Sequence, residues 1–347
     1  MNRSSLRMSS LLATVALFTL SGRPTSAADG PYVFKKDIAI GGEGGWDYLS
    51  VDAAARRLYV THATKVVVID LDTEKVVGEV PNTPGVHGFA IAADLGRAFA
   101  SAGASSKASI VDLKTLALIS QVDTGANPDS ILYEPSRHEV YTFNGRGQSS
   151  TVFDAKTGAV VATIPLDGKP EFAQVDAKLG RIYVNIEDKS VIRAIDIKTH
   201  AVVASWPLAP GEEPTGLAFD PTTRRLFATC DKVIIVLNPD SGKVVTSLVT
   251  GDGVDAIAFD PSTKYILASA SDETLTVAHL DSADHLSLVQ TLKTPARART
   301  LALDPKTHNL YLATATFEPA PPATAATPRP RPKMVAGSFR VAVFEMK

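Results

Sequence analysis

The feature that most constrains this chain is a spacing. An acidic or amide residue closes an apolar run at Asp70 (VVVID), Asp112 (SIVD), Asp154 (TVFD), Asp196 (RAID) and Asn238 (IVLN), with successive members 42 residues apart. A second marker follows the same beat: Asp52, Glu134, Asp176, Asp220, Asp260 and Asp304 each end an earlier apolar run, with Ala92 at the remaining place. Self-similarity at this period is the mark of one supersecondary unit repeated, in which each copy buries its apolar face against its neighbours. Seven units of about 42 residues fill nearly all of the chain after its first thirty residues.

Each unit has the composition of strands. The first runs YLSVD, RRLYVTH, KVVVID and EKVVGEV, rich in Val, Ile, Thr and Tyr, often alternating with period two. The turn before each fourth strand recurs as DLDTEK, DLKTLA, DAKTGA, DIKTHA and NPDSGK. Short Asp, Thr and Ser side chains suit such turns because they bond nearby backbone N–H groups. Four strands per unit, repeated radially, predict an all-β, seven-bladed β-propeller with four antiparallel strands per blade. The last unit has only three strands (TLALD, NLYLATAT and SFRVAVFEMK), and Phe34–Ile40 is a strand without a unit. Pairing the two would close the ring and remove the exposed edges of an open sheet.

Leu58–His62 (LYVTH), Ile182–Asn185 (IYVN) and Leu310–Thr314 (LYLAT), with continuations of the VVVIDLDTEKVVGEV type, resemble the YVTN repeat of YncE-like seven-bladed propellers. The resemblance spans essentially all of residues 29–347 and departs from the repeat string at His62, where asparagine is usual. It implies a fold and little about function, since propellers serve unrelated roles. The WD40 string fits less well: the one Trp-Asp pair, Trp46-Asp47, opens a first strand.

The first 28 residues have the order of a secretory signal peptide: Arg3 and Arg7, an apolar run from Leu11 to Leu20, then small residues to Ala27 and Ala28. The run is about half the ~20 residues that a spanning helix needs. The expected product is a periplasmic or secreted monomer with no membrane span. Removing three arginines with the leader leaves 32 basic and 37 acidic residues, a net charge of −5 against −2 for the whole chain. This balance disfavours nucleic acid as a partner. Cys230 is the one cysteine, which excludes an internal disulfide and a four-cysteine metal site.

In a propeller the first strand of each blade lines the central channel, and the loops leading into it share one face with the loops between second and third strands. The equivalent positions opening the seven first strands are Asp47, His87, Asp129, Glu171, Thr215, Asp255 and Arg299. This ring is the candidate ligand site. Asp47, Asp129, Glu171 and Asp255 form an oxygen-ligand set for a divalent cation, and His62 with His87 and Asp47 forms a transition-metal set. The same residues can equally pair with one another around water: Asp47 and Asp255 flank Arg299, and His87 lies between Asp47 and Asp129.

A proline-rich insertion, residues 317–336, interrupts blade 7 on this face and carries Arg329, Arg331 and Lys333. It reads as an extended surface excursion, a flap or a docking tail. NGRGQ at Asn144–Gln148 is a flexible loop on the same face. His138, His200 and His308 fall on the opposite one. GGEGG at Gly41–Gly45 precedes a strand and is no nucleotide cradle. With no catalytic string present, the leading expectation is a binding protein of the cell envelope, its partner a small molecule or an envelope protein. The alternative is a metal-assisted hydrolase, lyase or lactonase with His87 as general acid or base.

Overall fold

The computed structural model describes residues 30–322 and 330–347; the expected leader peptide, residues 1–28, lies outside them, as does Arg329. Seven four-stranded antiparallel sheets are arranged as blades. The inner strands are Trp46–Asp52, Val86–Ala92, Pro128–Glu134, Pro170–Asp176, Leu217–Asp220, Val254–Asp260 and Leu301–Leu303, for blades 1 to 7. Blade 7 is completed by the N-terminal strand Tyr32–Ala39, which pairs with Arg340–Met346 from Tyr32↔Met346 to Ala39↔Arg340. The first and last strands of the described chain therefore close the ring, as the three-strand last repeat predicts.

The core lies between blades. One apolar cluster occupies each of the seven seams; Tyr59, Val66, Val68, Phe89, Ala98 and Val111, for example, join blades 1 and 2. The middle strands are buried on both faces, whereas outer strands such as Lys75–Val80 stay largely exposed. This explains the two sequence patterns, continuous apolar runs inside and alternation outside.

The repeated acids have structural work. Asp70, Asp112, Asp154 and Asp196 each accept hydrogen bonds from the backbone N–H and hydroxyl of the threonine three residues on. The acids ending the inner strands cap their own turns and also tie neighbouring blades. Asp304 meets Arg56 at 2.7 Å, Asp176 meets Arg224 at 2.9 Å, and Asp260 meets His308 Nδ1 at 2.6 Å. These contacts, with His200 Nε2 2.8 Å from Glu139, lie on the face away from the ring, as expected for His200 and His308. Cys230 is buried and its thiol is pushed up to about 12 by burial, which makes it a packing residue.

Candidate functional site

Two devices aim the ring residues. In blades 1, 2, 3, 4 and 6 the inner strand carries a register shift just after its first residue, at Trp46/Leu49, Val86/Phe89, Pro128/Ile131, Pro170/Ala173 and Val254/Ile257. A bulge of this kind re-aims the side chains it carries, and Asp47, His87, Asp129, Glu171 and Asp255 sit in these five. Polar groups of one blade then hold the next blade's ring backbone. Asn185 Nδ2 donates to the Thr215 carbonyl at 2.9 Å, Thr229 Oγ1 to that of Asp255 at 2.6 Å, and Ser269 Oγ to that of Arg299 at 2.6 Å. Ser101 and Ser130 do the same for Asp129 and Glu171. The Thr and Asn of the repeat string thus hold the site's backbone.

The ring divides into three groups. Asp47, His87 and Asp129 come together, each offering a ligand atom within 4.8 Å of the others. His87 Nδ1 is 2.6 Å from Asp47 Oδ2 and 3.5 Å from Asp129 Oδ1. That Asp129 oxygen is buried with no hydrogen-bond partner among the described residues. Burial, and then the Asp47 charge, push the Asp129 carboxyl up to about 7. For His87 burial works against the charged form, but the bond to Asp47 and the nearby Asp129 outweigh it and raise the imidazole above its ordinary value.

The second group is Glu171 with Lys169, 2.7 Å apart, and Lys169 also touches Glu187. Burial and then Asp129 push Glu171 up to about 9 against the pull of Lys169. The third is Asp255 with Arg299, in direct contact; burial still lifts Asp255 to about 6. Thr215 bonds backbone oxygens and lines a side cavity of about 240 Å³ with Asp255, Glu187 and Glu213.

Two sequence-derived ligand sets are therefore not assembled. Of the four carboxylates only Asp47 and Asp129 share a ligand cluster, with His87; Glu171 pairs with Lys169, and Asp255 pairs with Arg299 as its place beside it suggests. His62 faces blade 7, its buried ring stacked on Phe339 at a centroid distance of 3.9 Å, and burial lowers it to about 4. It is a neutral packing residue, away from His87. In NGRGQ, Gly145 and Gly147 bond back to Asn127 and Ala126 as an ordered turn.

Sequence reasoning missed Tyr48 and Lys169. Tyr48 reaches from blade 1 to meet Phe172 of blade 4 across the channel, ring centroids 5.1 Å apart and planes tilted by 56°. Its hydroxyl is held well above the usual range by burial and by the carboxylates of Asp129, Glu171, Asp47 and Asp255. Beyond this pair lies an apolar cavity of about 340 Å³ lined by Leu49, Phe172, Phe219, Ile257 and Ala302. The signal was available: Tyr48 and Phe172 are large at a position that is Gly88, Ser130, Gly216, Ala256 or Thr300 in the other blades.

Among the described residues, no helix is long and apolar enough to cross a membrane. The sequence matches no known family and no curated protein, so the YncE-like resemblance rests on the motif strings alone. Solved structures share the fold. A chain of Kuenenia stuttgartiensis hydrazine synthase superposes with a TM-score of 0.70 at 15% identity, covering 92% of this chain and 100% of that one. A chain of the mitotic checkpoint complex superposes at 0.71 and 14% identity, covering 99% and 98%. At such identities the likeness is one of architecture, and a β-propeller is what this chain is shown to be.

Proposed function

We propose that this chain is an exported, YncE-like binding propeller whose channel mouth holds a divalent transition cation on Asp47, His87 and Asp129. The observation that carries this reading is Asp129 Oδ1. A buried carboxylate oxygen with no donor is costly, and this one points at an imidazole nitrogen and a second carboxylate. One nitrogen and two oxygens suit zinc, manganese or iron better than calcium, which takes six to eight oxygens. Ligands about 2.1 Å from a common tetrahedral ion lie roughly 3.4 Å apart. The 3.5 Å separation of His87 and Asp129 already fits, and the 2.6 Å separation of His87 and Asp47 would open by under about 1 Å.

The test is elemental analysis of protein purified without chelator, with a melting curve before and after EDTA. Near-stoichiometric metal and a fall in melting temperature on chelation support the site, since a ligand of the folded state stabilises it by mass action. Metal retained at the same level in Asp129→Asn overturns it.

A second reading, metal-assisted hydrolysis or lactone opening at the same mouth, is favoured by one observation. The Glu171 carboxyl, 2.7 Å from Lys169 and raised by burial and Asp129, stands one blade from the cluster as an acid–base group. Turnover of simple lactones or esters that vanishes in Glu171→Gln while metal is retained would select it.

A further inference from the structure

Beside the acidic cluster, the mouth carries a second and oppositely charged feature. A cavity of about 290 Å³ opens between blades 7 and 1, lined by Trp46, Arg297, Arg299, Phe317, Arg331 and Met334. The root of the proline-rich insertion builds one wall. Phe317 and Met334 form an antiparallel bridge, Glu318 N donates to the Lys333 carbonyl at 2.8 Å, and Val335 N donates to that of Thr316 at 2.9 Å. This short ribbon brings Arg331 back to the mouth. Gly44 lines the opposite side with φ +105°, where an added Cβ would stand 2.6 Å from Ala63 Cβ, so the chain approaches as only glycine can.

Three guanidinium groups share this cavity, and only Arg299 has a carboxylate partner among the described residues, Asp255. Arg297 instead lies over the face of Phe317, 5.3 Å from the ring centroid, and Phe317 in turn contacts Trp46 at 6.1 Å. Burial, and then the charges of Arg331 and Arg299, pull Arg297 below its ordinary value, the signature of cations held close without enough counter-charge. Like charges gathered in one pocket repel, and an entering anion relieves that repulsion. Guanidinium forks recognise a carboxylate bidentately, and the aromatic and methionine walls accept a flat apolar body. The volume is at the lower end for small-molecule sites, which fits a single ring better than a nucleotide.

From this constellation we infer that the Arg297–Arg299–Arg331 cavity is a binding site for a small aromatic carboxylate. Its oxygens meet the unpaired guanidiniums of Arg297 and Arg331, and its ring lies against Trp46 and Phe317. The site shares no residue with the Asp47–His87–Asp129 cluster and stands whether or not that cluster holds a metal.

Trp46 and Trp206 are the two tryptophans, so a Trp206→Phe background leaves Trp46 as the reporter. Benzoate titrated at low salt should quench its emission saturably, and equilibrium dialysis of benzoate against the unmodified chain should give the same affinity. Arg331→Gln, an exposed change, and Arg297→Gln should each weaken binding by about tenfold, the loss expected when one charge-assisted contact is removed. Added salt should weaken it as well. Three results overturn the assignment. Benzamide binding as tightly as benzoate removes the charge recognition. Inorganic phosphate displacing benzoate at equal concentration removes the aromatic part. Absence of benzoate binding by both methods removes the site.

Discussion

Replacing Asp129 by asparagine should stabilise the metal-free protein at alkaline pH while removing its response to a cation. The carboxyl has a folded-state value of about 7, against an ordinary value of 3.8. A group raised in the folded state contributes its stability below the unfolded value. That contribution is lost as pH rises through the folded value. Between about pH 4 and pH 7 the native protein should therefore lose stability on account of this residue. About three pH units at roughly 1.4 kcal/mol each set a ceiling of about 4 kcal/mol. Asparagine is close in size, carries no charge, and can donate to the Asp47 carboxylate. Half the ceiling corresponds to a rise of about 3 °C in melting temperature, at roughly 2.1 cal/mol/K of unfolding entropy per residue. The assay compares wild type and Asp129→Asn in EDTA at about pH 5 and about pH 8, then repeats both with zinc or manganese. The variant's advantage should be at least about twice as large at pH 8 as at pH 5, and it should no longer gain from metal. A variant less stable at pH 8 in EDTA, or parallel pH profiles for the two proteins, would refute the reasoning that this carboxylate is kept at a cost.

Tyr32→Ala should cost about 3–5 kcal/mol, because Tyr32 is fully buried in the closing strand and its backbone is held by both ends of the Gln290 amide; a wild-type urea midpoint would show that the seam does not limit stability. Asp176, Asp260 and Asp304 are held below their ordinary value, burial being outweighed by their hydrogen-bond partners. Their contribution is present above the unfolded carboxylate range and lost as pH falls through the depressed values. Acid unfolding followed by circular dichroism should thus shift to higher pH in Arg224→Gln or Arg56→Gln, and an unmoved midpoint would discount these ties. Cys230 should resist thiol reagents at about pH 8 in the native protein and react at once in denaturant, since its thiolate is disfavoured by burial; rapid native labelling would contradict the packing.

The repeat carried most of the fold into the sequence because blade geometry depends on features that recur. An Asp three residues before a Thr is visible in the chain, and so is a three-strand last unit awaiting a partner. The ring positions were legible for the same reason, since equivalent places in equivalent strands must face the same channel. The pairings across the ring were legible in part: Asp255 meets Arg299, and His87 stands between Asp47 and Asp129, as their adjoining places suggest. What failed was the four-carboxylate cage: a spacing places Glu171 at the mouth, but Lys169, which pairs with it at 2.7 Å, acts through a long side chain whose direction no spacing fixes. His62 was misassigned because the last residue of a second strand can face either seam, and Phe339, distant in sequence, decides it. Tyr48 escaped for another reason: period-two alternation turns it away from the channel when Asp47 faces in, and the bulge after Trp46 breaks that alternation.

Repetition and chemistry therefore occupy different residues of the same strands. The groups that hold the ring backbone, Asn185, Thr229 and Ser269, recur in kind from blade to blade and carry no charge. They can be read as scaffold, and their equivalence makes the seven ring positions interchangeable in geometry. The side chains they present do not recur. Acids open the inner strands of blades 1, 3, 4 and 6 and His87 that of blade 2, while Arg299 opens blade 7 beside Arg297 and the insertion root's Arg331. A purely structural polar ring would be expected to alternate in sign, pairing each charge with its neighbour. Here Asp47 and Asp129 flank one imidazole, the Asp129 oxygen that faces it at 3.5 Å has no hydrogen bond, and Arg297 and Arg331 have no carboxylate partner among the described residues. The groups left without a donor or a carboxylate, not the recurring scaffold, are where a bound ion or anion would gain most.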